Sequence, residues 1–143
     1  MKRVVIVSAK RTPFGRFLGQ LSKLSPVELA VAAGEAALDG VDRSLVEQVI
    51  LGNVLSAGHG MNIARQVSIQ LGLPVESSAT TINMMCGSGM QSAMLAVNAI
   101  RAGDANAVLA GGTESMSQSA LLVNRPEKRQ QPDISNLTDT MQS

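Results

Sequence analysis

The chain has no tryptophan, no tyrosine and only two phenylalanines, Phe14 and Phe17, among its 143 residues. Single-stranded nucleic acid is commonly held by stacking its bases on aromatic faces, and here those faces are scarce. A phosphate track is lacking as well: 12 Lys and Arg stand against 11 Asp and Glu, for a formal net charge of +1, and they gather on no basic face. Nucleic acid is therefore not an expected partner. A single cysteine, Cys86, cannot close an internal disulfide, which fits a reducing compartment. With only one histidine, His59, beside it, the chain is short of ligands for a metal site, and none is expected. The longest apolar stretches are broken by Gly, Asn, Glu or Arg well short of the ~20 residues a membrane helix needs. No charged leader with a long apolar run opens the sequence, so no signal peptide is expected and the cytoplasm is the default location.

What is present is aliphatic. Apolar residues make up 45% of the chain, so Val, Ile, Leu, Ala and Met have to fill the one core of a single soluble domain. The eight methionines are expected to serve as adaptable packing. From Asn124 to Ser143 the composition shifts: Arg125 to Pro132 holds almost nothing apolar, and an extended loop is expected there. No repeat of 20 to 50 residues is present.

Val4-Val5-Ile6-Val7 is a continuous β-branched run, the pattern of a strand buried on both faces, and the expected strand covers Arg3 to Ala9. Ser25-Pro26-Val27-Glu28 then announces a helix, with an N-cap serine, a proline at the first position and a glutamate three residues after the cap; Gly40 stops it. Val49 to Val54 reads as a second strand. Asn62 can cap a helix whose Ile63, Val67 and Leu71 share one face, closed by Gly72 and Pro74. Ser78 to Met85 reads as a third strand. The helix after it places Met90, Ala93, Met94, Val97 and Ile100 at three- and four-residue steps, a stripe expected to be core. Ala107 to Ala110 is a fourth strand. Strands alternating with helices favour a parallel sheet covered by helices, with ligands gathering beyond the carboxyl ends of the strands. Cys86 and the segment Gly111 to Ser117 both belong at that end.

Cys86 stands where the third strand turns through Gly87-Ser88-Gly89 into a helix. On the residues alone it is either a small apolar side chain buried in a tight turn or a reactive thiol. A thiol at a helix N-terminus faces unpaired N–H groups and the positive end of the helix dipole, which favour thiolate. The flanking glycines would let a substrate approach the backbone, and an N–H beside the sulfur could receive the oxyanion of acyl transfer. A dinucleotide site is not expected, because the third glycine of that pattern is replaced by Ser92.

Val5-Ile6-Val7-Ser8-Ala9 with Arg11-Thr12-Pro13-Phe14-Gly15 opens the chain, and Gly52-Asn53-Val54-Leu55 precedes Gly60-Met61-Asn62-Ile63-Ala64-Arg65-Gln66. Thr81 to Met90 surrounds the cysteine, Ala110-Gly111-Gly112-Thr113-Glu114-Ser115-Met116-Ser117 follows the fourth strand, and Leu137-Thr138-Asp139-Thr140-Met141 lies near the end. Taken in order, these stretches resemble one family, the thiolases, also called acetyl-CoA acetyltransferases or 3-ketoacyl-CoA thiolases. Ketoacyl synthases share the general layout, but Gly112 to Ser117 fits the thiolases better.

The resemblance implies a thiolase-like layered α/β fold, of which this chain would supply the N-terminal βαβαβαβ half with a parallel-rich sheet. Residues 1–120 would form the α/β domain and 121–143 the start of a loop region, with the C-terminal half absent. It implies that Cys86 is the nucleophile, accepting an acyl group from acyl-CoA or from the 3-ketoacyl-CoA being cleaved, with its own N–H in the oxyanion hole. Coenzyme A and acyl-CoA are then substrates rather than covalently bound cofactors, and subunits pair as a homodimer or tetramer. The family's histidine in Gly-His-Pro, asparagine in Asn-Glu-Ala-Phe and second cysteine in Cys-x-Gly have no counterpart in these residues. Little turnover is therefore expected of the 143 residues alone. The rival expectation is a truncated or split-gene half that acts only as an assembly partner, for example for a separately encoded C-terminal half.

Other residues are expected to be structural. His59 is read as a solvent-exposed loop histidine, Glu114 as a brace for a turn or a subunit contact, and Asn83 as a backbone partner around the nucleophile turn or across an interface. Arg125, Lys128 and Arg129 could meet the phosphates of coenzyme A, although a charge run in a polar loop is usually just solvated.

Overall fold

A computed structural model describes residues 3–124, 126 and 131–141. Helix α1 spans Pro26–Ala37, strand β1 Gln48–Gly52, helix α2 Ile63–Gln70, strand β2 Ser78–Ile82, helix α3 Ser88–Ala102 and strand β3 Val108–Gly112. The sheet runs in the order β2-β1-β3 with both pairings parallel, and Gly52 is level with Ile82 on one side and Gly112 on the other. All three carboxyl ends therefore lie at the same end of the sheet.

The first helix begins as its sequence dictates. The Ser25 hydroxyl accepts the Glu28 N–H at 3.2 Å, and the Glu28 carboxylate accepts the Ser25 N–H at 2.8 Å, so two otherwise orphaned donors are satisfied reciprocally. The backbone N–H of Ser25, and then its hydroxyl, hold the Glu28 carboxyl below the usual glutamate range. Asn62 caps α2 from a left-handed conformation (φ 51°), its side chain accepting the Arg65 N–H.

The core is aliphatic and lies on one face of the sheet. Val49 and Leu51 of β1 meet Val27 of α1, Leu38 and Ile63, Ala64 and Val67 of α2, and Leu71, all buried. Gly34 of α1 makes this contact possible: a Cβ there would lie 2.7 Å from a Leu71 methyl. Ile50, buried but pointing to the opposite face by strand alternation, lies on the side covered by α3. The two phenylalanines take no part and are exposed.

Several expectations are corrected. The run Val4 to Val7 forms no strand; residues 3–16 have no regular structure, and Ile6 is 87% exposed. A strand exists only through a neighbour's hydrogen bonds, and neither edge of the sheet pairs with this run. The observed order is therefore αβαβαβ. The methionine stripe of α3 is not core either: Met90 is 70% and Met94 54% exposed, whereas Ser88, Ser92 and Ala96, one turn apart, are buried against the sheet. Small residues win that face because the helix lies too close to the strands for longer side chains. The second and third strands stop at Gly52 and Ile82, short of Val54 and Met85, and the fourth extends to Gly112. In the segment expected to be loop, Thr138–Asp139 (β5) pairs antiparallel with Leu121–Leu122 (β4), and the Thr140 hydroxyl donates to the Ala120 carbonyl at 2.8 Å.

Two outcomes follow for stability. Ser25→Ala should lower the free energy of urea unfolding by about 1 kcal/mol. Because the Glu28 pKa is depressed in the folded state, chiefly by the Ser25 backbone N–H, the stability it adds is present at neutral pH and fades as pH falls through that depressed value, so an acid titration of the unfolding midpoint should show wild type and Glu28→Gln converging. Gly52→Ala should cost more, about 2–3 kcal/mol, since its Cβ would sit 2.5 Å from backbone of α3.

Candidate active site

The first turn of α3 is seated on the carboxyl ends of β1 and β3 by glycines. A Cβ on Gly52 would lie 2.5 Å from the Ser88 carbonyl carbon and 2.7 Å from the Gly89 nitrogen, and one on Gly112 would lie 3.1 Å from the Gly89 Cα. Only bare backbone fits at Gly52, and the Gly112 crossing is tight. Deeper along the helix, the Ser92 Oγ is 2.7 Å from both the Gly89 and the Gly111 carbonyls, joining the helix to β3. Ser92, which breaks the dinucleotide pattern, thus has a packing reason to be there.

Cys86 lies on the turn between β2 and α3, exposed and free. Among the described residues nothing buries its side chain. Met85 before it is left-handed (φ 50°), a conformation that costs a non-glycine residue about 1–3 kcal/mol and needs support from its surroundings. That support is dense. The Gly87 N–H donates to the Met84 carbonyl at 3.1 Å and the Ser88 N–H to the Met85 carbonyl at 3.1 Å. The Ser88 hydroxyl accepts the Met84 N–H at 2.8 Å and donates to the Met85 carbonyl at 2.7 Å. The Asn83 side chain accepts the Met85 N–H at 3.0 Å, which fulfils the first of its two expected roles. Gly87, the N-cap of α3, offers no side chain to the first-turn N–H groups.

Glu114 is the expected brace. Its carboxylate accepts the Asn53 side-chain N–H at 2.9 Å, the Val54 N–H at 2.8 Å and the Leu55 N–H at 3.3 Å, tying the chain beyond β3 to the chain beyond β1. Asn53, 3% exposed, also donates to the Thr113 carbonyl at 3.0 Å. The rest of the Gly111 to Ser117 motif faces the other way. Thr113 donates to the Pro26 carbonyl, Ser115 to the Leu24 carbonyl and Gln118 to the Ser22 carbonyl, while Ser117 accepts the Leu18 N–H. This motif fastens the approach to α1. Residue types alone did not single out Ser88, Ser92 or Asn53; the usable signal was their position among glycines that terminate strands.

His59 is not the solvent-exposed residue expected. It is half-buried, and its Nε2 is buried without a hydrogen-bond partner among the described residues. The loop is drawn inward because the Gln66 side chain donates to the His59 and Met61 carbonyls at 2.8 and 3.2 Å. No hydrogen bond joins His59 to Cys86. A cleft of about 650 Å³ beside β2 is lined by Asn53, Asn62, Thr81 and Asn83, and another of about 470 Å³ by Lys10, Arg11, Arg16 and Glu114; Cys86 borders neither. Among the described residues no three His, Cys, Asp or Glu side chains gather as metal ligands, and no helix is long and apolar enough to cross a membrane. Arg125, Lys128 and Arg129, weighed as phosphate contacts, lie outside the described residues.

Comparison with known proteins accords with this arrangement. The family described as the thiolase N-terminal domain matches residues 4–143. An acetyl-CoA acetyltransferase of Cupriavidus necator is 47% identical over 143 residues, 99% of this chain and 36% of that protein. A probable acetyl-CoA acetyltransferase of Escherichia coli is 46% identical over the same share of each. The crystal structure of a thiolase from Ascaris suum in complex with coenzyme A superposes with a TM-score of 0.86 at 39% identity, covering 94% of this chain and 35% of that one. The chain thus spans about a third of the length of the relatives it matches. With the family matched along almost its whole length and the fold shared, this chain belongs to the thiolase family, as its N-terminal domain.

Proposed function

We propose that the chain is the N-terminal part of a thiolase-type acyl-CoA acyltransferase in which Cys86 carries the acyl group. The observation that carries this reading is the exposure of the only thiol on a braced turn leading into α3. In this reading residues 1–120 are the α/β domain and residues 121–143 begin the loop region. Coenzyme A and acyl-CoA are the substrates, a choice supported by the coenzyme A held by the Ascaris suum neighbour. The working enzyme is a cytoplasmic homodimer or tetramer.

The chemistry is ping-pong. The Cys86 thiolate attacks the carbonyl carbon of acyl-CoA; the new carbon–sulfur bond forms, the carbonyl oxygen takes the negative charge, and the tetrahedral species collapses by expelling the coenzyme A thiolate, which takes up a proton. For a 3-ketoacyl-CoA the group expelled is instead the carbanion of acetyl-CoA, protonated as it leaves. In the second half, coenzyme A thiolate or the carbanion of a second acetyl-CoA attacks the acyl-cysteine and frees Cys86. Dividing one difficult step into two transfers is the benefit of a covalent intermediate. The Cys86 N–H lies beside the forming oxyanion in this scheme, and general acid–base groups come from sequence outside these 143 residues.

A second reading, an assembly half without chemistry of its own, is favoured by one observation. Met90 and Met94 on α3 and the run Val5 to Val7 leave large apolar side chains in solvent, the kind of surface a partner would cover.

Native chain treated with iodoacetamide should be alkylated at Cys86 at least as fast as chain unfolded in urea; a native thiol that resists while the unfolded one reacts would sink the nucleophile. Purified chain given acetoacetyl-CoA and coenzyme A should show no robust thiolysis, and turnover at an ordinary enzyme rate would overturn the assignment of acid–base groups elsewhere. Co-expression with a polypeptide carrying the Gly-His-Pro motif should yield a stable complex with thiolase activity that Cys86→Ser abolishes; a complex whose activity survives Cys86→Ser would leave the assembly reading standing alone.

A further inference from the structure

Two side chains are aimed at the one strained residue beside Cys86. Met85 is left-handed, and its N–H and carbonyl are each taken by a side chain: the Asn83 carbonyl oxygen accepts the N–H at 3.0 Å, and the Ser88 hydroxyl donates to the carbonyl at 2.7 Å. The same Ser88 oxygen accepts the Met84 N–H at 2.8 Å, so one hydroxyl reaches back across Cys86 and Gly87 to the two residues that precede them. Ser88 is 5% exposed and lies directly over Gly52, where a Cβ would fall 2.6 Å from the Ser88 Cβ. Cys86, in contrast, is exposed. The polar groups of the turn are committed to holding its backbone while the thiol is left free.

We propose that Ser88, with Asn83, is a positioning residue: by pinning both peptide groups of the left-handed Met85, the pair fixes the direction in which the Cys86 Sγ and N–H face an acyl carbonyl. This rests on the reading of Cys86 as acyl acceptor. The two side chains touch neither substrate nor sulfur in this role. They act through the backbone, and their effect falls on reactions that demand a fixed angle between the attacking sulfur and an oxyanion donor. Displacement on an alkyl iodide demands no such donor; attack on an ester carbonyl does.

That difference supplies the test. The native 143-residue chain is treated in parallel with iodoacetamide and with p-nitrophenyl acetate. In the second reaction the Cys86 thiolate forms a bond to the acetyl carbon, the aryl ester bond breaks, p-nitrophenolate departs and is read by its absorbance, and the thiol proton goes to solvent. The measured quantity is the ratio of acetylation to alkylation rates for wild type, Ser88→Ala, Asn83→Ala and Ser92→Ala. Ser88→Ala should lower the ratio roughly tenfold or more, Asn83→Ala should lower it in the same sense, and Ser92→Ala should leave it at the wild-type value although it too removes a buried hydroxyl from α3. Asn83→Ala changes no residue packed against the sheet, so it decides the matter should Ser88→Ala fail to fold. An unchanged ratio in the folded variants, or an equal fall for Ser92→Ala, overturns the positioning role. If instead wild type is acetylated no faster native than unfolded in urea, the acyl-acceptor reading itself fails, and the proposal with it.

Discussion

The contact on which this structure most depends is the bare-backbone crossing of α3 over the ends of β1 and β3. Gly52, Gly89 and Gly112 converge there, and any side chain at Gly52 would strike the helix backbone itself. The crossing sets the distance between helix and sheet. That distance in turn dictates Ser88, Ser92 and Ala96 as the buried face and sends the methionines outward. It also decides where the β2 to α3 turn emerges, and hence that Cys86 stands at the open end of the sheet. Packing, rather than any ligand, is sufficient reason for Gly52.

Around that crossing the two faces of the molecule are stabilised differently. On the α1 and α2 side, stability comes from a continuous aliphatic cluster whose removal from water is the dominant favourable term. Beyond the carboxyl ends of the strands, hydrogen bonds from side chains take over: Glu114 to the Asn53 side chain and the Val54 and Leu55 backbone, Thr113 and Ser115 to the chain before α1, Ser88 and Asn83 to the turn before Cys86. Such bonds are directional where apolar contacts are not, so loops that have to hold a defined shape at a site are fixed by them.

The sequence made the local elements readable wherever the chemistry was local. The capping box at Ser25, the Asn62 cap and the Ile63-Val67-Leu71 face all formed as their residues dictated, because each is decided within one or two turns of helix. The parallel order of β1, β2 and β3 was likewise visible in the alternation of helices and strands. The failures were nonlocal. A β-branched run looks like a strand whether or not a neighbour exists to pair with it, and Val4 to Val7 has none among the described residues. A methionine stripe looks like core unless one knows that small residues on the other face bring the helix closer. Of the candidate site, the position of Cys86 at the turn into α3 and the bracing role of Glu114 were legible. The Ser88 bridge was not, since a hydroxyl that closes a turn is indistinguishable in sequence from one that faces water, and neither was the contact of the His59 loop with the Gln66 side chain of the following helix.

The parallel sheet has a consequence for how the chain acquires its shape. β1 is the central strand, yet its two neighbours begin about 30 and 60 residues later, at Ser78 and Val108. Nothing adjacent in sequence can zip against it, so chain closure over long loops precedes any reward from strand pairing, and contact order of this kind slows folding. During synthesis β1 emerges early and waits with both edges open until β2 follows and with one edge open until β3 follows, an interval in which its Val-Ile-Leu stretch is the segment most in need of shelter from other nascent chains.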